Sequence, residues 1–323
     1  MARYVGRRVA GLLLVLFLIA TLVFVLLHYS PGSPIDNIGG ITASDAQREA
    51  LKAEYGLNRP VYLQYLTYLA DLARGDLGTS IYNGVPVRDE LLHRLPVTLE
   101  LGLVTLLVWV VLGFVFGIIA GVRQGGVFDG SMRIGTVIGL SVPSFWLGIV
   151  CLLIFGIWFP GILPTGGWVP FTQNPYQNLV HLVLPAFVLG AGSCALIART
   201  LRATLIETLD SDYVRFARAR GVQERTVVGS IAVRNAVIPT ATVVGIVLGV
   251  LFSGAVLIER IFNLPGIGAY TVDSFTKQDY PVAVGCALVI ALVFLISNLI
   301  IDVALFSMSP RIRARFLSGA VAR

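Results

Sequence analysis

Six stretches of this chain are too long and too apolar for a soluble fold. They run approximately Val9–Leu27, Thr98–Val122, Ile134–Phe159, Leu179–Ala198, Ala236–Ile258 and Pro281–Phe306. Each is long enough to carry an α-helix across a hydrocarbon core of ~30 Å. In lipid the backbone polar groups must be satisfied within the segment, and a helix does that. The short alternating segments of an outer-membrane barrel are not visible. Composition agrees: 56% of residues are hydrophobic and 13% charged, against about a quarter charged in an ordinary soluble domain. The expected fold class is an all-α membrane protein with six transmembrane helices.

The first run follows Arg3, Arg7 and Arg8 and so imitates a signal peptide. It is long enough to span, and no Ala-x-Ala site follows it, so it reads as a retained first helix. With the N-terminus inside, the inner segments hold twice as many Lys and Arg as the outer ones. The first outer loop, Tyr29 to Leu95, is rich in Asp and Glu instead. This bias places both termini on the cytoplasmic side. Within that loop, Ser44 and Gln47 form a capping box for a short helix that Gly56 can end. Pro60 suits the first turn of a second amphipathic helix, with Tyr62, Tyr65, Leu66, Leu69 and Ala73 on one face and Gly75 closing it.

Small residues four apart mark close helix contacts: Gly113, Gly117 and Gly121; Gly135 and Gly139; Gly245 and Gly249. Pro143 and Pro185 fall inside spans and are expected to kink them. Cys151, Cys194 and Cys286 all lie in apolar runs and read as small packing residues.

Catalytic constellations are missing. No H-E-x-x-H, C-x-x-C or G-x-S-x-G is present, and His28, His93 and His181 are scattered. Only Lys52 and Lys277 are lysines, and neither follows a Gly, so the chain has no P-loop for a nucleotide. Glu100 and Asp302 are the charges expected inside spans, both near span ends. Without a midplane ionisable pair, intrinsic ion coupling is not expected. No cofactor, metal or nucleic-acid site is read in the chain.

The longest inner loop is different in kind. From Thr200 the apolar residues Leu201, Leu205, Leu209, Tyr213 and Phe216 recur every three or four positions, as one helix face. Gly221 suits the left-handed position that ends a helix, a second short helix can begin near Gln223, and Pro239 suits the start of the fifth span. Periodicity alone leaves two readings open, a basic surface on anionic lipid or a docking surface for another protein.

Within that loop, Asp212-Tyr213-Val214-Arg215-x-Ala217-Arg218-Ala219-x-Gly221, with Pro239 beyond, closely resembles the EAA loop of ABC-importer permeases. The variant is that of the oligopeptide/dipeptide (peptide/nickel) family, B-type subunit. Further stretches agree in order along the chain. They are Leu57-Asn58-Arg59-Pro60, Gly75-Asp76-Leu77-Gly78-Thr79-Ser80, Arg94-Leu95-Pro96-Val97-Thr98-Leu99-Glu100-Leu101, Phe262-Asn263-Leu264-Pro265-Gly266-Ile267-Gly268, Gln278-Asp279-Tyr280-Pro281 and Pro310-Arg311-Ile312-Arg313. There are departures. Arg215 and Phe216 stand where the generic motif has Glu-Ala, Ser33 where many relatives have Asp, and Ser309 likewise.

The resemblance implies a type I importer permease fold with a cytoplasmic coupling helix. Residues 1–93 would be the first helix and extracytoplasmic loop, 94–307 a five-helix core containing the coupling loop 199–235, and 308–323 a basic tail. It implies a non-catalytic subunit in a bacterial or archaeal cytoplasmic membrane. Its partners would be membrane lipids, a second permease, two P-loop ATPases or one fused pair, and an extracytoplasmic solute-binding protein. ATP and Mg would reside on the ATPases. Asp212, Tyr213, Arg215, Ala217, Arg218, Ala219, Arg220, Gly221 and Glu224 would form the docking element. The cargo implied is a di- or oligopeptide. Nickel complexes and oligosaccharides are alternatives within the family, and a stand-alone channel or scaffold is an alternative outside it.

Overall fold

The computed structural model describes residues 2–29 and 58–308, with three single positions between them. The capping box at Ser44 and Gln47 lies outside the described residues, as do Ser33 and Ser309. The side chain of Asp302 lies outside them too. The described elements are helices and one isolated antiparallel bridge, Thr79 to Pro86.

The order is α1 (Ala2–His28), α2 (Val61–Ala73), α3 (Val87–Val122), α4 (Val127–Ser141), α5 (Ser144–Leu153) and the π-helical turn π1 (Ile154–Trp158). There follow α6 (Pro175–Leu209), α7 (Asp212–Ala219), α8 (Glu224–Thr226), the π-helical segment π2 (Val227–Val233), α9 (Arg234–Ile261), α10 (Ile267–Thr276) and α11 (Tyr280–Met308). Among the described residues five helices are long and apolar enough to cross a membrane. A sixth candidate is α4 with α5 and π1, bent by 99°. The bend falls where Val142 is extended ahead of Pro143, because the proline ring disfavours the helical region for the residue before it. Pro185, by contrast, lies within an unbroken α6, and Pro239 lies inside α9 rather than at its start.

The chain forms two compact units, Met1–Leu99 with Asn263–Leu295 and Glu100–Phe262 with Ile296–Arg323. In the first unit, Val87, Leu91, Ile267, Val282 and Cys286 form an apolar core. The sequence motifs meet there in pairs. The buried Asp279 carboxylate accepts from the Ser80 hydroxyl and, at 3.2 Å, from the Ile81 amide. Ser80 Oγ in turn accepts the amides of Tyr82 and Asn83. The Thr98 hydroxyl accepts the Ile267 amide at 2.9 Å. The Arg94 guanidinium lies 4.2 Å from the centre of the Tyr270 ring. Burial, then the negative charges of Glu90 and Asp279, pushes the Tyr270 phenol up to about 12.

On α2 the inward face is Tyr65, Tyr68 and Leu72. Tyr65 bonds Thr21, and both tyrosines pack on Phe24. Of the residues expected on one face, Tyr65 and Leu69 are half-buried, whereas Tyr62, Leu66 and Ala73 are exposed.

In the second unit α6 is the axis, packing along α9, α4 and α5. A Cβ added at Gly113, Gly117 or Gly121 would press on Ile197, on Ala198 and Leu201, or on Leu205. The small stripe thus seats α3 against α6. Gly139 faces Ala195 in the same way, and Gly245 and Gly249 are buried, whereas Gly135 is exposed, with open space where a Cβ would stand. Glu100 accepts from the Trp168 indole and the Asn178 amide, each at 2.9 Å, which ties the segment before α6 to α3.

A candidate docking helix and its anchorage

The helical face read from Leu201 to Phe216 is divided by a corner at Asp210 and Ser211. Leu201 and Leu205 are fully buried on α6, against Ala232 and Ala236. Tyr213 and Phe216 are 48% and 64% exposed on α7. At the corner the Ser211 hydroxyl returns to the Thr208 carbonyl, a local bond that competes with helix continuation, and Ser211 occupies the N-cap position of α7 without a side-chain cap bond.

Within α7 only Val214 is fully buried, and it holds the helix to the unit. Ala217 is half-buried beside it. Asp212, Tyr213, Arg215, Ala219 and Arg220 are exposed, as is Phe216, whose ring lies 5.8 Å from the Arg220 guanidinium carbon. Exposure at that level excludes packing of Phe216 on the fifth span. Asp212 and Arg215 are 3.7 Å apart at the surface, a solvated pair of little energetic weight.

Arg218 and Glu224 face each other. Arg218 donates from Nη2 at 2.7 Å and from Nε at 3.1 Å to the two carboxylate oxygens. This bond to Glu224, with the charge of Asp210 nearby, raises the Arg218 pKa above its ordinary value. The fork staples α7 to α8. Gly221 has φ +76°, and the amides of Gly221 and Val222 return to the carbonyls of Arg218 and Ala217. That closes α7 with the left-handed glycine cap expected from sequence. π2 follows one turn later and leads into α9.

Glu100 lies inside α3, as expected. Among the described residues the buried acids are Asp129, Glu259 and Asp279, whereas Glu100 is half-buried. Asp129 opens α4 and accepts a two-pronged bond from Arg202 of α6, with Nη2 at 2.8 Å. It also accepts the amide of Gly125 at 3.0 Å. The only local sign of this site is an acid following the Gly125-Gly126 turn; its partner is far along the chain. Among the described residues no group of three His, Cys, Asp or Glu side chains could hold a metal ion.

Comparison with known proteins accounts for an all-helical membrane chain of this arrangement. Residues 113–314 match the family described as binding-protein-dependent transport system inner membrane component, and residues 1–102 match its N-terminal counterpart. The dipeptide transport system permease protein DppB of Lactococcus lactis subsp. cremoris (strain MG1363) is 38% identical over 314 residues, covering 97% of this chain and 100% of the relative. The oligopeptide transport system permease protein AppB of Bacillus subtilis (strain 168) is 35% identical, covering 97% and 99%. The probable D,D-dipeptide transport system permease protein DdpB of Escherichia coli (strain K12) is 37% identical, covering 95% and 96%. The chain therefore belongs to the binding-protein-dependent transport system inner membrane components, as a multi-pass permease of an ABC transporter.

Proposed function

We propose that this permease forms half of the membrane path of an ATP-driven importer for di- or oligopeptides, and that α7 is the helix through which an ATPase subunit acts on it. The observation that carries the second part is the build of α7. It lies outside the apolar spans, is anchored by Val214, is stapled by Arg218 and Glu224, and leaves Tyr213, Phe216 and Arg220 exposed. An exposed aromatic pair beside arginine is what a protein interface uses. The names of the full-length relatives support a peptide cargo.

In this reading residues 94–307 form the working core, both termini are cytoplasmic, and the chain itself is non-catalytic. A second permease completes the path, and a solute-binding protein delivers cargo from outside. Two P-loop ATPases, separate or fused, hold the ATP and Mg²⁺. Closure of the ATPases would move α7, and α7 would move the end of α6. Arg218 and Glu224 serve mainly as the internal staple, while Asp212, Tyr213, Arg215, Phe216, Ala219 and Arg220 face the partner.

The test is purification from native membranes through a tag on this chain. The expected result is co-elution of a second permease and P-loop ATPases, with ATP-dependent uptake of a labelled tripeptide after reconstitution. Elution as a lone chain that conducts solute without ATP would instead identify a stand-alone channel.

A further inference from the structure

We infer that Asp129 and Arg202 are positioning residues for transport, orienting the bent α4–α5 segment according to the position of the α6–α7 corner. The inference rests on α7 being the docking helix. Arg202 lies eight residues before Asp210 on α6, a separation of about 12 Å along a helix. Asp129 is 1% exposed and lies in the first turn of α4. Displacement of α7 must therefore pass the Arg202 side chain to reach α4 by this route.

The geometry suits transmission rather than simple attachment. Two parallel N–H···O bonds join Arg202 to the two carboxylate oxygens of Asp129. Such a fork fixes the relative orientation of its partners as well as their separation. The Gly125 amide donates to Oδ2 of the same carboxylate, which ties the turn between α3 and α4 to it. Apolar contact also joins these elements, through Ala120, Met132 and Ala198. Apolar contact is non-directional and permits sliding; the fork does not. The pair is partly buried, with Arg202 reaching the surface, and ion pairs, exposed or buried, generally add little net stability. The expected role of this one is thus in orientation, and its loss should appear in coupling before folding.

The test uses the whole importer, purified through this chain and reconstituted in liposomes. ATP turnover and uptake of a labelled tripeptide are measured in the same vesicles. Arg202→Lys keeps the charge and loses the fork. The double variant Asp129→Asn with Arg202→Met removes both charges and leaves an acceptor for the Gly125 amide. Both should retain the ATPase subunits and hydrolyse ATP at about the wild-type rate. Uptake per ATP should fall about fivefold or more, the factor expected when one hydrogen bond's worth of bias between two states is lost.

Wild-type uptake per ATP in Arg202→Lys overturns the inference. If that variant fails to insert, the double variant decides by the same ratio. A wild-type preparation lacking ATPases defeats the docking assignment and this inference with it. An intact wild-type complex with fully coupled variants defeats this inference alone.

Discussion

Replacing Gly221 separates what the chain requires from what a partner requires. Its φ of +76° is open to glycine and strained for other residues, and a Cβ built there meets nothing within 4 Å. In the isolated permease the penalty is therefore one of backbone alone. It amounts to about 1–2 kcal/mol for an L-residue held in the left-handed region. Gly221→Ala and Gly221→Trp should carry the same penalty, because Gly221 is exposed and a Cβ there meets no neighbour. Amide hydrogen exchange at Val222, whose N–H returns to the Ala217 carbonyl, reports it in nanodiscs.

The partner changes the comparison. If an ATPase groove encloses the end of α7, alanine fits with little further disturbance and the indole must displace packed atoms. Overpacking of that kind costs about 1–3 kcal/mol. ATPase affinity should then fall about 5- to 150-fold further for Gly221→Trp than for Gly221→Ala. Biolayer interferometry on immobilised nanodiscs measures both. Equal affinities for the two variants would refute enclosure of Gly221 by the ATPase. Much greater exchange in isolated Gly221→Trp than in Gly221→Ala would refute the backbone reasoning itself.

Three further outcomes follow from the packing. Gly190→Ala would drive a Cβ into the indole of Trp109, which donates to the Ala186 carbonyl at 2.7 Å. We expect a loss of about 1–3 kcal/mol in mixed-micelle unfolding, with Trp109→Leu recovering part of it; an additive double variant contradicts the clash. Ser80→Ala removes one donor to buried Asp279 and the acceptor for two amides. It should destabilise the first unit by about 1–3 kcal/mol, with faster proteolysis between Asp76 and Pro86, and unchanged cleavage would count against it. Tyr270 is raised to about 12 by burial and by Glu90 and Asp279. The folded state thus holds this proton more tightly than the unfolded chain does, and its stabilising contribution is full below about pH 10 and is lost as pH rises through the folded value. Tyr270→Phe should flatten stability against pH in that interval, as unfolding at stepped alkaline pH would show.

Which features were readable from sequence follows from how local their causes are. The spans were legible because lipid imposes a length and an apolarity on each segment separately. Gly221 was legible because a left-handed residue after a helix has a one-residue signature, and Gly113, Gly117 and Gly121 because close approach in lipid repeats every turn. The periodic face running into Tyr213 and Phe216 misled for the same reason: the period survives the Asp210–Ser211 corner, while the partner surface does not. The inward face of α2 depends on Thr21 and Phe24 of another helix, so no pattern within Tyr62 to Ala73 could set it. Asp129 with Arg202 and Ser80 with Asp279 were out of reach as pairs, because a buried ion pair or polar knot joins distant positions and leaves no period along the chain. Yet Ser80 and Asp279 each stand in a short motif by which the chain resembles its family, as do Thr98 and Ile267. The structure gives those motifs a common physical basis, since each holds a polar group whose partner is supplied by another motif.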